Sequence, residues 1–278
     1  MEFFTPEFWK NYAKKRKAEF QTSKVATKKI WEEMAHFYKD FEKEKSYEEI
    51  KKIPIEYLEN QRIFNKPITI ADICCGPGTH AIEFSKRAKK VFALDISQSM
   101  IDSLKQKSKK YNIKNISVKC NDFFKEDFRE KFDLVFVSMS PILNELDSID
   151  KLLLISNRYL FISFWAGKRK NDIFEKCYKA IFNRNFKWDI LDITIIFNYL
   201  YSLGYSPAIF YKNSCWENKY NFEKIFQHVL WHLKFYKDEL TENEKEKVKE
   251  IIKATDSFKT YIRIGFLFLD KEESCKRI

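Results

Sequence analysis

Apolar and polar positions along this chain change period several times, and each change marks an element. Thr5-Pro6 reads as an N-cap followed by a first-turn proline, so a helix begins at Pro6 with Phe8, Trp9, Tyr12 and Ala13 on one face. A second helix from about Ser23 carries Ile30, Met34, Phe37 and Phe41 at helical spacing. A shorter one around Tyr57-Leu58 precedes Asn65-Lys66-Pro67, a linker into the first strand. From there the pattern alternates. Apolar runs near 68–73, 91–94, 116–119, 132–137, 158–164, 207–212 and 261–269 read as strands, and helical patterns near 79–89, 98–111, 144–157, 171–183 and 190–203 lie between them. Such alternation belongs to an α/β fold, a parallel sheet covered by helices on both faces.

Before the last strand, residues 217–256 are nearly all helical. Phe222, Ile225, Phe226, Val229, Leu233 and Tyr236 form an apolar stripe at three- and four-residue spacing, with Trp231 on the opposite side. Thr241, with Glu244 three residues on, opens a further helix as a capping box. The expected organisation is a helical cap over 1–64 and a domain over 65–278 that carries the helical insertion 217–256.

The densest chemistry lies in residues 68–104. Ile68, Ile70 and Ile73 enter a glycine-bearing turn, Cys74-Cys75-Gly76-Pro77-Gly78-Thr79, and after a helix the second apolar run ends in Asp95. That acid lies 17 residues past Gly78, close to the spacing of a ribose ligand in a β-turn-α-β nucleotide unit. Gly76 and Gly78 let the backbone approach a ligand, and the helix N-terminus beyond them favours negative charge. The full dinucleotide pattern is missing, because Cys74 stands where a glycine would precede Gly76 and Ala81 stands three residues after Gly78. Asp72, at the start of the turn, suits a positively charged amino group and would repel a pyrophosphate. It favours the amino-acid end of S-adenosylmethionine; the plain alternative is an acid that caps the turn of an unrelated α/β protein.

Asp95 can accept two hydrogen bonds from a ribose diol, or it can cap the helix that begins at Ser97-Gln98, a task Ser97 already serves. After the third strand comes Cys120-Asn121-Asp122-Phe123, where Asp122 can accept from an adenine amino group while Phe123 walls the ring. Ile96 and Met100 are candidates for the other adenine face, and each is equally explicable as core.

With these residues in view, the chain resembles the class I S-adenosylmethionine-dependent methyltransferases. The resemblance rests on Asp72-Ile73-Cys74-Cys75-Gly76-Pro77-Gly78-Thr79, on Asp95, on Asn121-Asp122 and on the fourth strand Phe132-Asp133-Leu134-Val135-Phe136-Val137. It covers about 67–165 well and extends loosely to the final strand. It implies a Rossmann-like, seven-stranded, mostly parallel sheet whose last strand is antiparallel. It also implies that Asp72, Gly76 and Gly78 hold the methionine end, with Cys74, Thr79 and His80 in the same turn. Asp95 would take the ribose and Asp122 the adenine, and the product would be S-adenosylhomocysteine. Cys74 departs from the family's usual glycine.

Ser138-Met139-Ser140-Pro141 sits where such enzymes place residues beside the reactive methyl, so Ser138 is a further cofactor candidate. The [DNS]-P-P-[YFW] signature of enzymes acting on exocyclic nitrogens is not there, nor is the Pro-Cys nucleophile of cytosine-C5 enzymes. Tyr12, His80, Asn144 and Glu145 are placed to approach the site. None needs a proton-transfer role, since alignment can supply up to ~7–11 kcal/mol of a methyl transfer. His228 and His232, four apart on a helix, have metal-ligand spacing without a third ligand, and read first as structural histidines; no metal is expected. Cys74 and Cys75 read as small packing residues. Trp165, Trp216 and Trp231 either line an acceptor pocket or pack the insertion on the sheet.

Composition narrows the partners. With 51 Lys and Arg against 40 Asp and Glu, the net charge is +11, which suits a nucleic acid. The lysines are interleaved with glutamates, however, so solvated faces are the simpler reading. The leading acceptor is a small molecule; RNA is a second possibility, and a non-catalytic S-adenosylmethionine-binding module a third. The amino terminus lacks the apolar core of a secretory signal, and no run of ~18 apolar residues predicts a membrane span. Six scattered cysteines without CxxC spacing point to a reducing, cytoplasmic compartment.

Overall fold

The computed structural model of the chain describes residues 5–19, 28–41, 45–167, 169–187, 191–218, 222–255 and 258–274. The expected helix start at Ser23, the side chains of Phe37, Phe41 and Trp216, and Cys275 lie outside the described residues.

Seven strands make one sheet: β1 Thr69–Ile73, β2 Lys90–Asp95, β3 Ile116–Cys120, β4 Phe132–Ser138, β5 Ser156–Trp165, β6 Ala208–Asn218 and β7 Phe258–Asp270. Their order is β3-β2-β1-β4-β5-β7-β6, and β7 runs antiparallel to both of its neighbours while the other pairings are parallel. The Rossmann-like sheet with an antiparallel last strand is therefore present as expected. The order reverses between β1 and β4, and a crevice outside the carboxyl ends of these strands is where open α/β sheets bind ligands.

Alternation along each strand assigns its residues to two cores. Ala71, Ile73, Leu94, Val135, Val137, Leu160 and Ile162 face one core, where helices α6 (Leu146–Ile155) and α8 (Ile193–Ser202) cover the sheet. Ile70, Val91, Ala93, Leu134, Phe136 and Phe161 face the other, covered by α3 (Lys45–Asn60), α4 (Thr79–Ser85) and α5 (Gln98–Lys110). A third cluster joins α7 (Asp172–Phe182), α9 (Phe222–Leu233) and α10 (Glu242–Lys253) through Phe174, Tyr178, Phe226, Val229 and Val248. Helices α1 (Pro6–Glu19) and α2 (Lys28–Phe41) precede α3, and a short α11 (Lys271–Ser274) follows β7.

Several boundaries differ from the sequence expectation, among them the end of α4 at Ser85 rather than 89 and the start of β7 at Phe258 rather than 261. The short helix at Tyr57-Leu58 is the end of the 16-residue α3, which continues through Pro54. A proline inside a helix costs about 3 kcal/mol. The helix survives because it buries Ile50, Ile55 and Leu58, and because Tyr57 stacks on Phe210 at 4.9 Å and meets Phe161 and Phe268. The strand expected to end at 212 runs to Asn218, paired residue for residue with β7 as far as Asn218↔Phe258. Its outer half, Tyr211 to Cys215, is largely exposed, so no hydrophobic alternation marks it. The helix expected over 144–157 is α6 alone, preceded by a 3-10 turn at Pro141–Asn144 and followed directly by β5 at Ser156.

Candidate functional site

The turn from β1 into α4 is held in place by the end of β2. Cys75 N–H donates to the Leu94 carbonyl at 2.9 Å, Gly78 N–H to the Cys75 carbonyl at 3.0 Å, and Gly76 N–H to Asp95 Oδ2 at 2.8 Å. Three of its residues have left-handed backbone: Cys74 (φ 56), Gly76 (φ 55) and Gly78 (φ 81). Cys74 bears a Cβ in that conformation, a cost of roughly 1–2 kcal/mol that a glycine would avoid. The two glycines are needed for different reasons. A Cβ on Gly78 would lie 2.2 Å from Leu104 Cδ1 of α5, whereas one on Gly76 would meet nothing within 4 Å. Gly78 thus lets α4 and α5 pack, and Gly76 leaves open space beside the strand ends.

Two acids border that space. Asp72 is 2% exposed, Ala81 N–H donates to it, and its Oδ2 is buried with no hydrogen-bond partner. Burial, and then the nearby Asp95 carboxylate, push its carboxyl well above the usual range. Asp95 is 8% exposed and receives Gly76 N–H on Oδ2 and Ser97 N–H on Oδ1, at 2.8 and 2.9 Å. Burial raises it too, opposed by these backbone donors. With Ile96 N–H as a third backbone donor, the carboxylate still has room for a hydroxyl donor. A pair of buried carboxylates, one with an orphaned oxygen, calls for a cation at the mouth of the turn. The ammonium of a methionine moiety meets that requirement, and the open side of Gly76 and the remaining acceptor room of Asp95 suit the rest of a nucleoside-bearing ligand.

The other expected cofactor residues sit around this pair in unequal ways. Asp122 Oδ1 accepts from Phe124 N–H at 2.9 Å, so the loop after β3 is a tight turn around that acid. Asn121 is spent on local structure: its amide donates to Glu126 Oε2 at 2.7 Å, and Glu126 pairs with Lys119. Phe123 is 3% exposed and packs within the core beside Phe128, under the Lys151 ammonium at 5.2 Å. Met100 is buried in α5 and its N–H is capped by Ser97 Oγ, while Ile96 is half-buried between Asp95 and Ser97. Thr79 opens α4.

His80 turns toward the α3 side of the sheet, its ring 4.7 Å from that of Phe136 and near the Lys51 carbonyl. Burial lowers it to about 4, so it is neutral at pH 7 and a weak base.

The adjoining strand end forms the next wall. Ser163 Oγ and Ser138 Oγ are 2.6 Å apart across β4 and β5, and Met139 donates its N–H to the Ser163 carbonyl at 2.8 Å. Met139 has φ 52, so strained backbone occurs at the ends of both β1 and β4. Ser140 caps the 3-10 turn and also bonds the Cys74 thiol, joining the two walls. Asn144 Oδ1 is buried with no hydrogen-bond partner, and Glu145 leads into α6. Cys74 and Cys75 have thiols raised by burial, which makes them poor nucleophiles.

Helices from both ends of the chain meet above the strand ends. On α2, the Glu32 carboxylate accepts the first N–H groups of α5, from Gln98 at 2.7 Å and Ser99 at 3.1 Å, beside the Asp95 loop. One residue away, Trp31 meets Trp231 of α9 edge to face at 6.1 Å; Trp231 Nε1 donates to the Ile30 carbonyl, and Lys234 pairs with Glu33. Trp231, on the side of α9 away from its stripe, is therefore packed against α2. Glu32 carries no local sequence signal for this role, since its partners on α5 are 66 and 67 residues away, and neither does the Ser140 bond to Cys74.

Replacing Glu32 by Gln removes the charge but not the shape, and the expected loss is about 0.5–1 kcal/mol, a Tm decrease of a few degrees by calorimetry. Hydrogen bonds from Ser99 and Gln98 outweigh burial and hold Glu32 below the ordinary glutamate range. That contribution is present at neutral pH and lost as pH falls through the lowered value, so the difference between the two proteins should vanish in acid.

On α1, Tyr12 is 36% exposed and stacks with Phe8 at 6.1 Å. Lys10 anchors that helix to Asp147 and Asp150 of α6, and Tyr199 OH donates to Asp150 at 2.5 Å. His228 and His232 are half-buried in α9 with their rings 4.4 Å apart, and the His232 ring nitrogen Nδ1 is engaged by the His228 carbonyl. Among the described residues no group of three or more His, Cys, Asp or Glu could hold a metal ion, and no helix is long and apolar enough to cross a membrane. Cys74, Cys75, Cys120, Cys177 and Cys215 are free thiols.

Comparison with known proteins adds a family. Residues 70–158 match the family described as a methyltransferase domain. An uncharacterized protein of Haemophilus influenzae is 26% identical over 187 residues, 65% of this chain and 66% of its own length. A protein of Methanocaldococcus jannaschii described as a probable cobalt-precorrin-6B C(15)-methyltransferase (decarboxylating) is 37% identical over 71 residues, 26% of this chain and 37% of its own. The matches thus span less than two thirds of these relatives' own length. Among solved structures, magnesium protoporphyrin IX methyltransferase from Synechocystis with bound S-adenosylhomocysteine superposes with a TM-score of 0.48 and 14% identity, covering 79% of this chain and 83% of that one.

Proposed function

The chain carries a class I S-adenosylmethionine-dependent methyltransferase domain, and from that premise we propose that it methylates a small molecule in a site closed by the helices above the strand ends. The observation that carries the reading is the buried, half-satisfied Asp72 in the neighbourhood of Asp95, whose Oδ2 already holds Gly76 N–H. When bound, S-adenosylmethionine supplies an electrophilic methyl on a sulfonium and leaves as S-adenosylhomocysteine.

The chain's own residues do the rest. Asp72 takes the ammonium of the methionine moiety, and Asp95, already oriented by Gly76 and Ser97, takes the ribose hydroxyls. Asp122 and the residues around it receive the base. Ser138 to Ser140 and Asn144 form the wall at the end of β4, where an acceptor atom must come into line with the methyl. Asn144 Oδ1, buried without a hydrogen-bond donor, is positioned to orient an acceptor hydroxyl or amine rather than to remove its proton. His80, packed against Phe136 on the sheet face that also carries Asp72, is lowered to about 4 by burial and is a weak base at neutral pH.

Helices α1 and α2 together with α9 are the closing elements, held by Lys10, Glu32 and Trp231. Exclusion of water by such a roof strengthens every electrostatic contact inside it. The retention of the 1–64 cap as a functional unit, and a cytoplasmic location suited to free thiols, belong to the same proposal. A relative described as a cobalt-precorrin methyltransferase is in keeping with a small-molecule acceptor, while another, described as a probable ribosomal RNA small subunit methyltransferase, is in keeping with RNA.

Incubation with methyl-labelled S-adenosylmethionine and fractionated cell extract tests the reading. Label is expected in the small-molecule fraction. Label confined to RNA or protein would refute the acceptor class, and tight cofactor binding with no label anywhere would point to a binding module instead.

A further inference from the structure

The chain's positive charge is not spread evenly over the fold. Residues 86–114 hold nine lysines and arginines against two aspartates, a net of +7 in a chain whose total is +11. Just after them, Asn115 donates its side-chain amide to the Ser85 and Ala88 carbonyls at 2.9 and 3.0 Å, and its own carbonyl accepts Val91 N–H at 2.9 Å. The turn that ends α4 and the turn that follows α5 are thereby fastened side by side, ahead of β2 and β3. Within them Lys86, Arg87 and Lys90 are answered by Glu83, Glu59 and Glu130. Lys89, Lys105, Lys109, Lys110 and Lys114 are exposed, and no acid among the described residues pairs with them. Lysines of α10 differ in this respect, since Lys245 and Lys249 are paired with Glu242 and Glu246. The dipole of α5 accounts for lysines in its last turn, but Lys89 and Lys114 lie outside the helices. Amid these charges Tyr111 is 58% exposed, with Lys110 Nζ 5.4 Å from the centre of its ring.

We propose that this pair of turns is a docking surface for single-stranded RNA. Unpaired lysines clustered on one surface neutralise backbone phosphates and release their counterions, which is the main source of affinity for a polynucleotide. An exposed aromatic ring among them gives an unpaired base a face to stack on, which a base held inside a duplex cannot use. Asn112, next to Tyr111, is exposed in left-handed backbone (φ 53), and its amide can both accept from and donate to a ribose 2′-hydroxyl. An anionic membrane would feel the same charge. Attachment there calls for an apolar face beside the lysines, however, and Tyr111 is the one large hydrophobic side chain exposed within 86–114. The surface lies at the amino ends of β2 and β3, whereas Asp95 stands at the carboxyl end of β2, roughly 15–20 Å along the strand. RNA held there is kept apart from the methyl-transfer site, so the inference does not depend on the methyltransferase reading.

The test is fluorescence anisotropy of the full chain with a labelled single-stranded RNA of mixed sequence, over a salt series. With five lysines each neutralising one phosphate, log affinity should fall with log salt at a slope of about −3.5. The triple variant Lys109→Gln/Lys110→Gln/Lys114→Gln should bring that slope to about −1.5 and weaken binding at least about 10-fold at low salt. Tyr111→Ala should weaken it about 5-fold or more with the slope unchanged, because stacking releases no counterions. A control with the same loss of charge on α10, Lys245→Gln/Lys247→Gln/Lys249→Gln, should bind RNA as the unsubstituted protein does. Thermal melts of the Tyr111 variant and of the Lys109, Lys110 and Lys114 variant should match the parent, since the replaced side chains are exposed. Absence of RNA binding overturns the proposal, as does capture by phosphatidylserine vesicles in place of RNA. Equal losses in the two triple variants, or single-stranded DNA of the same sequence bound as tightly as the RNA, overturn it as well.

Discussion

Asp72→Asn should weaken S-adenosylmethionine binding at least about 100-fold while leaving the cofactor-free protein as stable as before or more so. Both halves follow from one observation, a carboxylate 2% exposed with an orphaned oxygen and a second carboxylate nearby. Without a cation, ionised Asp72 is a liability, which is why burial and Asp95 push its carboxyl up. A group raised in the folded state contributes stability below its unfolded value, near pH 4, and that contribution is lost as pH rises through the raised folded value. Asparagine removes the titration, so the loss at neutral pH disappears.

The cofactor reverses the balance. Its ammonium needs the ionised acid, and breaking a buried ion pair from one side costs about 3–5 kcal/mol, of which about 2.7 kcal/mol already accounts for a factor of 100. Binding by the unsubstituted protein should therefore tighten as pH rises through the Asp72 titration, and Asp72→Asn should abolish that dependence. Calorimetric titration with S-adenosylmethionine over a pH series, beside thermal melts of the free proteins, measures both effects. A variant that binds as well as its parent would remove Asp72 from the site.

The two glycines of the turn should separate folding from binding. Gly78→Ala is expected to cost about 2–4 kcal/mol of stability, because it adds a left-handed Cβ and drives that carbon to 2.2 Å from Leu104 Cδ1. Leu104 is fully buried and cannot swing away. A Gly78→Ala/Leu104→Ala double variant should lose about 1–2 kcal/mol less than the sum of the singles, since the steric part of the cost is shared. Gly76→Ala should cost only about 1 kcal/mol of folding, as its Cβ points into open space. That space is where the cofactor approaches, so the methyl should instead reduce its affinity by about 10-fold or more. Urea melts and cofactor titrations of the four proteins check this, and equal loss of affinity at both positions with no difference in stability would contradict it.

The turn was readable because its chemistry is local. Asp72, Gly76, Gly78 and Asp95 fall within 24 residues of sequence, and strand alternation tells which way each points. Glycine in a left-handed turn and an acid at a strand end leave a mark on sequence wherever they occur. The length of β6 left none, because its outer half takes its register from the backbone of β7 and buries little side chain. Helix α3 was foreshortened because Pro54 lowers local propensity, while the aromatic contacts that outweigh it come from β5, β6 and β7.

By itself, the sequence determined the sheet, its covering helices, the nucleoside-binding turn and the family to which that turn points. Each is written in periodicities of two and 3.6 residues and in backbone conformations few residue types tolerate. Only the tertiary structure decided that Asp72 is left half-satisfied, that His80 is a weak base, and that Asn121 is spent on Glu126. These outcomes depend on how much water a group loses and which distant charges it meets, and both are set by residues brought together from across the chain rather than by neighbours along it.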